Sequence, residues 1–420
     1  MSQVVDTDAT IPDPYSLALE DLNVAQPALF QNDAHWRYFE RLRKEDPVHY
    51  CAESDYGPFW SITKFNDILY VDSHHEIFSS QGGITLGPPV KQIDPDSDFR
   101  PTMFIAMDPP KHDVQRATVT PVVAPRNLVK LEDTIRGRVA KILDSLPRGE
   151  TFDWVDTVSV ELTTQMLATL FDFPFEERRK LTRWSDVATA IPGAGVIETN
   201  QQRRDELLEC LEYFTRLWNE RVNSEPGTDL ISMLAHGEET RHMQPMEFLG
   251  NLILLIVGGN DTTRNSITGG VLALNQNPVE YQKLRDNPGL IEKMVPEIIR
   301  WQTPLAHMRR TALLDTELGG KHIKAGDKVI MWYVSGNRDE EVIDNADAFI
   351  IDRPNARHHL AFGFGIHRCM GNRLAEMQLR IVWEEILKRF RLVEVVGEPQ
   401  RTFSAFVKGY THLPVQVHEH

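Results

Sequence analysis

Apolar positions recur at helical spacing over 34–46, 127–145, 155–171, 176–190, 201–223, 229–235 and 245–276, and again over 290–303 and 371–390. Pro and Gly punctuate the joins, as in PRG at 147–149 and FPF at 173–175. The period changes at FWSIT, 59–63, which predicts a strand ahead of a short helix. It changes again over 306–334, where His322 and Ile323, a turn over Lys324–Asp327 containing Gly326, and then KVIMWYV predict a hairpin. The tail, 391–417, predicts short strands, and 335–368 is irregular. Residues 79–110, rich in Gly, Pro, Asp and Ser, predict a long irregular loop. Most connections run about 4–6 residues, so a loop of that length in a compact protein is usually functional or disordered. The first 25 residues predict a loose acidic arm, leaving 26–420 as one fused body without repeats or linkers. The fold class expected is mainly α with small β-sheets.

Composition narrows the class. With 420 residues, 41% hydrophobic and 25% charged, the chain is neither disordered nor fibrous. A net charge of −16 repels phosphate backbones, so neither nucleic acid nor an anionic membrane is expected as a main partner. The longest clear apolar run, LILLIV at 252–257, is far short of the roughly 18 residues a membrane span needs. The N-terminal residues lack a basic region followed by an apolar one, so no secretory leader is expected. Three scattered cysteines, Cys51, Cys210 and Cys369, contain no C-x-x-C pair. A cytoplasmic monomer is the expectation.

The segment FGFGIHRCMGNRLAEMQLR, 362–380, is the most informative. Glycines crowd Cys369, and a helix follows it. Amide N–H groups and the helix dipole there favour a thiolate. An isolated thiolate can be a nucleophile or a lone axial ligand to a haem iron; a structural cysteine in a Gly-rich turn is the alternative. In this segment the sequence resembles the cytochrome P-450 family of haem-thiolate monooxygenases. Phe362, Gly365, Cys369 and Gly371 match its signature F-x-x-G-x-x-x-C-x-G. The resemblance implies the P-450 fold in a single haem domain over 26–420, haem b (iron protoporphyrin IX) as cofactor, and Cys369 as iron ligand. It also implies that the Phe362 ring limits solvent access to the sulfur.

Three further matches follow in family order. Gly258-Gly259-Asn260-Asp261-Thr262-Thr263 interrupts the apolar helix 245–276. Interior glycines cost roughly 1 kcal/mol each relative to alanine, so a helix–helix contact with a solvated Asp is one reading. The resemblance gives another: Gly258 and Gly259 make room for dioxygen and substrate, and Asp261 and Thr262 deliver protons to a site otherwise kept dry. Glu297 and Arg300 match E-x-x-R, a structural pair completed in the family by an arginine for which Arg353 is the best match. Pro296, directly before Glu297, puts regular helix geometry there in question. For the haem propionates the resemblance offers His112 and Arg116, at i and i+4, with Arg310 and His367. Arg309 should point away from Arg310 in an extended segment. His74-His75 and His358-His359 read as non-metal.

The likeness runs from about residue 35 to the tail and is strongest to soluble bacterial members that hydroxylate medium-chain alkanes and fatty acids at the terminal carbon. It implies electrons from a ferredoxin and ferredoxin reductase, since no flavin or nicotinamide motif is fused. The expected substrate pocket is Ile84 and Leu86, Leu255, Ile256 and Val257, Leu305, Ala306 and Met308, and Phe406. The expected docking patch is Arg126, Lys130, Arg357, Arg368 and Arg373, with Glu376 one turn beyond. A terpene or other hydrophobic substrate, and a haem-binding sensor or carrier without turnover, are the competing readings. The acid–alcohol pair argues against an isomerase or a peroxide-using hydroxylase.

Overall fold

The computed structural model describes residues 11–87 and 99–420. Its centre is the 32-residue helix Pro245–Gln276, hereafter the central helix, opened by proline at its first position. Its apolar first half and the small residues Ser266, Gly269 and Gly270 let neighbours approach closely. A Cβ at Gly270 would meet Ile298 at 2.9 Å, and one at Gly269 would meet Gln302 at 2.2 Å. Around it pack Glu161–Phe171, Arg179–Thr189, Asn200–Val222, Ile291–Gln302 and the cysteine helix, Asn372–Arg389, while Pro125–Asp144 packs on the cysteine helix and on Glu161–Phe171. The helix expected over 155–171 begins as a π-helical stretch, Val155–Val160. Despite Pro296, Ile291–Gln302 is one uninterrupted helix. Side chains of Thr199 and Asp229 cap two helix starts by accepting from Gln202 and Ser232 N–H groups.

The main sheet runs in the order Val48–Cys51, Phe59–Ile62, Lys328–Met331, Met308–Ala312, Phe78–Ser79. Met308–Ala312 pairs antiparallel with Lys328–Met331, bringing Arg309 opposite Ile330 and Thr311 opposite Lys328. The expected hairpin from His322-Ile323 into 328–334 does not form. Lys321–Ile323 instead folds back on Thr316–Leu318, while Lys328–Met331 joins the main sheet. The reason lies in Gly319 and Gly320, whose φ values of 56° and 73° make the tight two-residue turn that matches strand twist. The stretch read as a loose arm is packed from residue 11 on. Leu22, Val24 and Ala25 are buried with Phe30, Phe39 and Trp332, and Tyr38 donates to the Pro12 carbonyl. Part of the 79–110 loop, residues 88–98, lies outside the described residues. Among the described residues no helix is long and apolar enough to cross a membrane.

Candidate active site

Cys369 sits three residues before the cysteine helix, in a loop held from both sides. Its N–H donates to the Phe362 carbonyl at 2.8 Å. Gly365, at φ 64°, is pressed so closely on the preceding helix Phe65–Ser73 that a Cβ would lie 2.3 Å from the Asp72 carbonyl oxygen. Of the three cysteines only Cys369 is accessible. The expected preference for thiolate is only part of the balance. Burial pushes the thiol up, and the N–H groups of Gly371 and Asn372 with the Arg116 and Arg368 guanidiniums oppose it without prevailing. A bound cation is what would tip a thiol so placed to thiolate.

The four expected propionate clamps converge beside this loop. His112 and Arg116 share one face of the helix Lys111–Val119. The His112 and His367 rings meet edge to face at 4.2 Å, and Arg116 donates to the Arg368 carbonyl. Burial drives the His367 ring down to about 2, with the Arg310, His112 and Arg116 charges adding to it, so it stays neutral. His112 Nε2 and both ring nitrogens of His367 are buried with no hydrogen-bond partner. Buried polar atoms left so are rare, and a carboxylate placed there would accept from whichever ring nitrogen carries a proton. Arg310 ion-pairs with Asp72 at 2.7 Å. Asp72 also accepts from Tyr333 Oη at 2.8 Å and from the Phe364 N–H at 2.7 Å. The carboxylate therefore ties Arg310 to the cysteine loop. Nothing in ILYVDSHH singles out Asp72, because its three partners come from distant segments.

On the central helix the two halves of the acid–alcohol pair face different ways. Thr262 Oγ1 donates to the Gly258 carbonyl one turn back, at 3.0 Å. Leu254, Val257, Gly258 and Thr262, spaced at helix period, are the accessible side chains on that face. A Cβ at Gly258 would meet nothing within 4 Å, as a room-making glycine requires. Gly259 differs from expectation: a Cβ there would meet Leu167 at 2.7 Å, so it serves helix packing. Asp261 is fully buried on another side rather than solvated. It accepts from Ser185 Oγ at 2.9 Å and Asn260 Nδ2 at 3.1 Å, and pairs with Arg264 at 3.0 Å. Arg264 in turn holds Asp186 at 2.7 Å, and Asp186 is 33% exposed. Burial pushes the Asp261 carboxyl up, and Arg264 opposes the shift. Sequence reading missed Leu254, Ser185 and Arg264.

Glu297, Arg300 and Arg353 form one buried unit. Glu297 binds Arg300 at 2.8 Å and Arg353 at 3.0 Å. Both guanidiniums also donate to backbone carbonyls of the irregular stretch, among them Asn337, Ala346 and Ala348 for Arg300. Of the expected pocket residues, Ile84, Leu86, Leu305, Met308 and Phe406 lie on segments that meet. Arg309 N–H donates to Ile84 O, Ala306 N–H donates to Phe406 O, and Leu305 bridges Val407. Leu255, Val257 and Ile256 come from the central helix. Ile256 and Ala306, 1% and 0% exposed, are packed into the core and cannot line a cavity; helix phase and strand packing turn them inward. His307, missed from sequence, crosses this junction between Ala405 O at 2.9 Å and the Leu86 N–H at 3.4 Å.

Two surface grooves flank the cysteine loop. One, of about 620 Å³, runs between His112, Arg116, Thr120, Arg126 and Ile366. The other, of about 390 Å³, lies between Arg357, Phe362, Arg368, Arg373 and Glu376. Glu376 ion-pairs with Arg357 at 3.1 Å, so that cation is partly neutralised. The histidine doublets join no group of three metal-ligating side chains among the described residues.

Comparison with known proteins agrees with this geometry. Residues 195–412 match the family model for cytochrome P450. The chain is 35% identical to linalool 8-monooxygenase of Pseudomonas putida over 94% of its length and 99% of the relative. It is 31% identical to the methyl-branched lipid omega-hydroxylase of Mycobacterium tuberculosis over 90% of both. Among solved structures, CYP153D17 from Sphingomonas sp. PAMC 26605 is 51% identical, covering 95% of this chain and all of that one at a TM-score of 0.89. The chain belongs to the cytochrome P450 family of monooxygenases, whose cofactor is haem held through a cysteine thiolate. The accessible cysteine and the orphaned histidine nitrogens beside it fit such a group.

Proposed function

We propose that this monooxygenase inserts one atom of O2 into the terminal C–H bond of a medium-chain n-alkane or fatty acid, with electrons from a ferredoxin and its reductase. The observation that carries the reading is the wall of the site. The accessible face of the central helix offers Leu254, Val257 and Gly258 with a single hydroxyl, Thr262, and Ile84, Leu305 and Phe406 add apolar side chains on segments that meet. Such a lining suits an unbranched hydrocarbon better than a polar ligand. A relative named for omega-hydroxylation of a lipid supports the regiochemistry.

Cys369 would hold the iron of the haem through its thiolate, and the bound haem would supply the activation of O2. His112, Arg116, Arg310 and His367 would hold its propionates, with Phe362, Gly365 and Gly371 shaping the loop. Thr262, held by its bond to Gly258 O, keeps oxygen lone pairs toward the accessible face, where they orient a water. Asp261 is the carboxylate that relays protons behind it, and Arg264 holds it in place by pairing with it and with the partly exposed Asp186. Glu297, Arg300 and Arg353 are structural. Arg126, Lys130, Arg368 and Arg373, with Arg357, form the docking patch for an acidic ferredoxin beside Cys369. One set of assays tests the whole. Ferredoxin, reductase, NADH and dodecane should yield 1-dodecanol, while Cys369→Ser loses both turnover and the thiolate-type spectrum of the reduced, CO-bound protein. A normal spectrum in Cys369→Ser would overturn the ligand assignment. Linalool in place of dodecane tests the second reading, a terpene substrate, which the 35% identity to linalool 8-monooxygenase favours.

A further inference from the structure

We infer that Arg309, assisted by Lys328, is the anchor for the carboxylate of a fatty-acid substrate, so that the site takes an acid by its head and presents the far end of its chain to the chemistry. This rests on the terminal-hydroxylation reading and settles which of its two substrate classes the chain is built for. Alternation along Met308–Ala312 turns Arg310 toward Asp72 and Arg309 to the opposite face. On that face Lys328, from the antiparallel neighbour, stands one step along the sheet.

Neither cation has a carboxylate within ion-pair distance among the described residues. Arg309 makes one side-chain bond, to Thr311 Oγ1 at 3.4 Å, and its Nε is buried without a partner. Lys328 donates only to the Tyr56 carbonyl, at 2.6 Å. Burial lowers both side chains' affinity for their protons, and for Lys328 the Arg309 charge adds to it. Half-buried charges of one sign normally gain a partner. Here none is supplied by the described residues.

The position ties the pair to the substrate segments. The Arg309 N–H holds Ile84 O at 2.8 Å, and two residues on the Leu86 N–H meets His307. The guanidinium lies along Gly82 and Gly83, where a Cβ would sit 3.6 Å and 3.8 Å from its terminal nitrogens. Both glycines have positive φ, 88° and 112°, so the loop passes over the guanidinium without a side chain of its own to cover it. A planar fork of donors left open in this way matches a carboxylate.

The test compares dodecanoate with methyl dodecanoate, which keeps the chain and removes the charge, by the substrate-induced spin-state change of the haem. The wild-type holoprotein should bind the acid more tightly than the ester. In Arg309→Gln the ratio of acid to ester Kd should rise at least tenfold, equivalent to about 1.4 kcal/mol. Arg309→Lys should recover part of it, and Lys328→Gln should move the ratio in the same direction by less. Acetate, a carboxylate without a chain, should give no spectral change. Equal wild-type affinities for acid and ester, or an Arg309→Gln protein that loses both alike, would overturn the anchor. If neither ligand, nor dodecane, perturbs the wild-type spectrum, the terminal-hydroxylation reading itself fails.

Discussion

Asp72→Asn should destabilise the protein more than any other single change on the helix that carries it. The carboxylate is 3% exposed and accepts from Arg310, Tyr333 and Phe364. Removing its charge strands a guanidinium that is 2% exposed. Breaking one side of a buried ion pair costs about 3–5 kcal/mol. With roughly 2.1 cal/mol/K of unfolding entropy per residue, a chain of 420 residues loses about 1 °C in Tm per kcal/mol, so the expected drop is about 3–6 °C. Tyr333→Phe removes a single hydrogen bond to a charged group, worth about 1.5–3 kcal/mol, and should cost about 2–3 °C. Both are read by circular dichroism at one scan rate on the haem-loaded protein. Because Asp72 also holds the loop that carries Cys369, Asp72→Asn should release haem faster to an acceptor such as apomyoglobin, and Tyr333→Phe less so. An unchanged Tm in Asp72→Asn, or an equal loss from both variants, would refute the view that this carboxylate joins Arg310 to the cysteine loop.

Three further outcomes are expected. Thr262→Ala should keep haem and substrate binding yet divert NADH electrons to hydrogen peroxide; an unchanged ratio of product to NADH would remove the proton-delivery role. Glu297→Gln should leave two buried guanidiniums short of a counter-charge and lower Tm by an amount similar to Asp72→Asn, with most of the protein recovered without haem. Burial holds Lys408 down to about 7, against about 10.4 for an unfolded lysine. Between those values the unfolded chain binds the extra proton, so the contribution of this residue makes stability rise with pH across the window. Lys408→Met should flatten the change in Tm between pH 7 and 9, and an identical slope in the variant would show that the lysine is not the source.

What was legible in the sequence was whatever is local. Helix spacing placed the central helix at 245–276, where the structure has Pro245–Gln276, because one apolar stripe and a proline start define it without outside help. The Cys369 loop, the Glu297–Arg300 pair and the His112–Arg116 spacing were likewise local patterns. What failed depended on partners far along the chain. Strand pairing is set by the turn at Gly319-Gly320 and by the neighbours at 59–62 and 308–312 that Lys328–Met331 takes, none of which its own sequence pattern carries. Gly259 has the pattern of a room-making glycine, and only Leu167, from a distant helix, gives it a packing role. Ile256 and Ala306 were apolar and near the site in sequence, yet they point into the core. Asp72 gave no signal, since its meaning comes wholly from Arg310, Tyr333 and Phe364.

The way Glu297 and its two arginines grip the stretch 337–353 bears on how this surface can change. Arg300 and Arg353 bind it through main-chain carbonyls, at Asn337, Asp344, Asn345, Ala346 and Ala348, and Glu297 takes the Ile350 N–H. A backbone read in this manner is indifferent to the side chains it turns outward. Its exposed positions, Glu340, Glu341, Asp344, Asn345 and Asp347, can be exchanged as long as no residue is added or removed, because a shift of one position would offer the guanidiniums the wrong oxygens. Buried Asn337, Asp339, Ile343, Phe349 and Ile351, by contrast, are held by their own side chains. Substitutions at the outward positions, with the length of the stretch held fixed, need not disturb the loop that follows it.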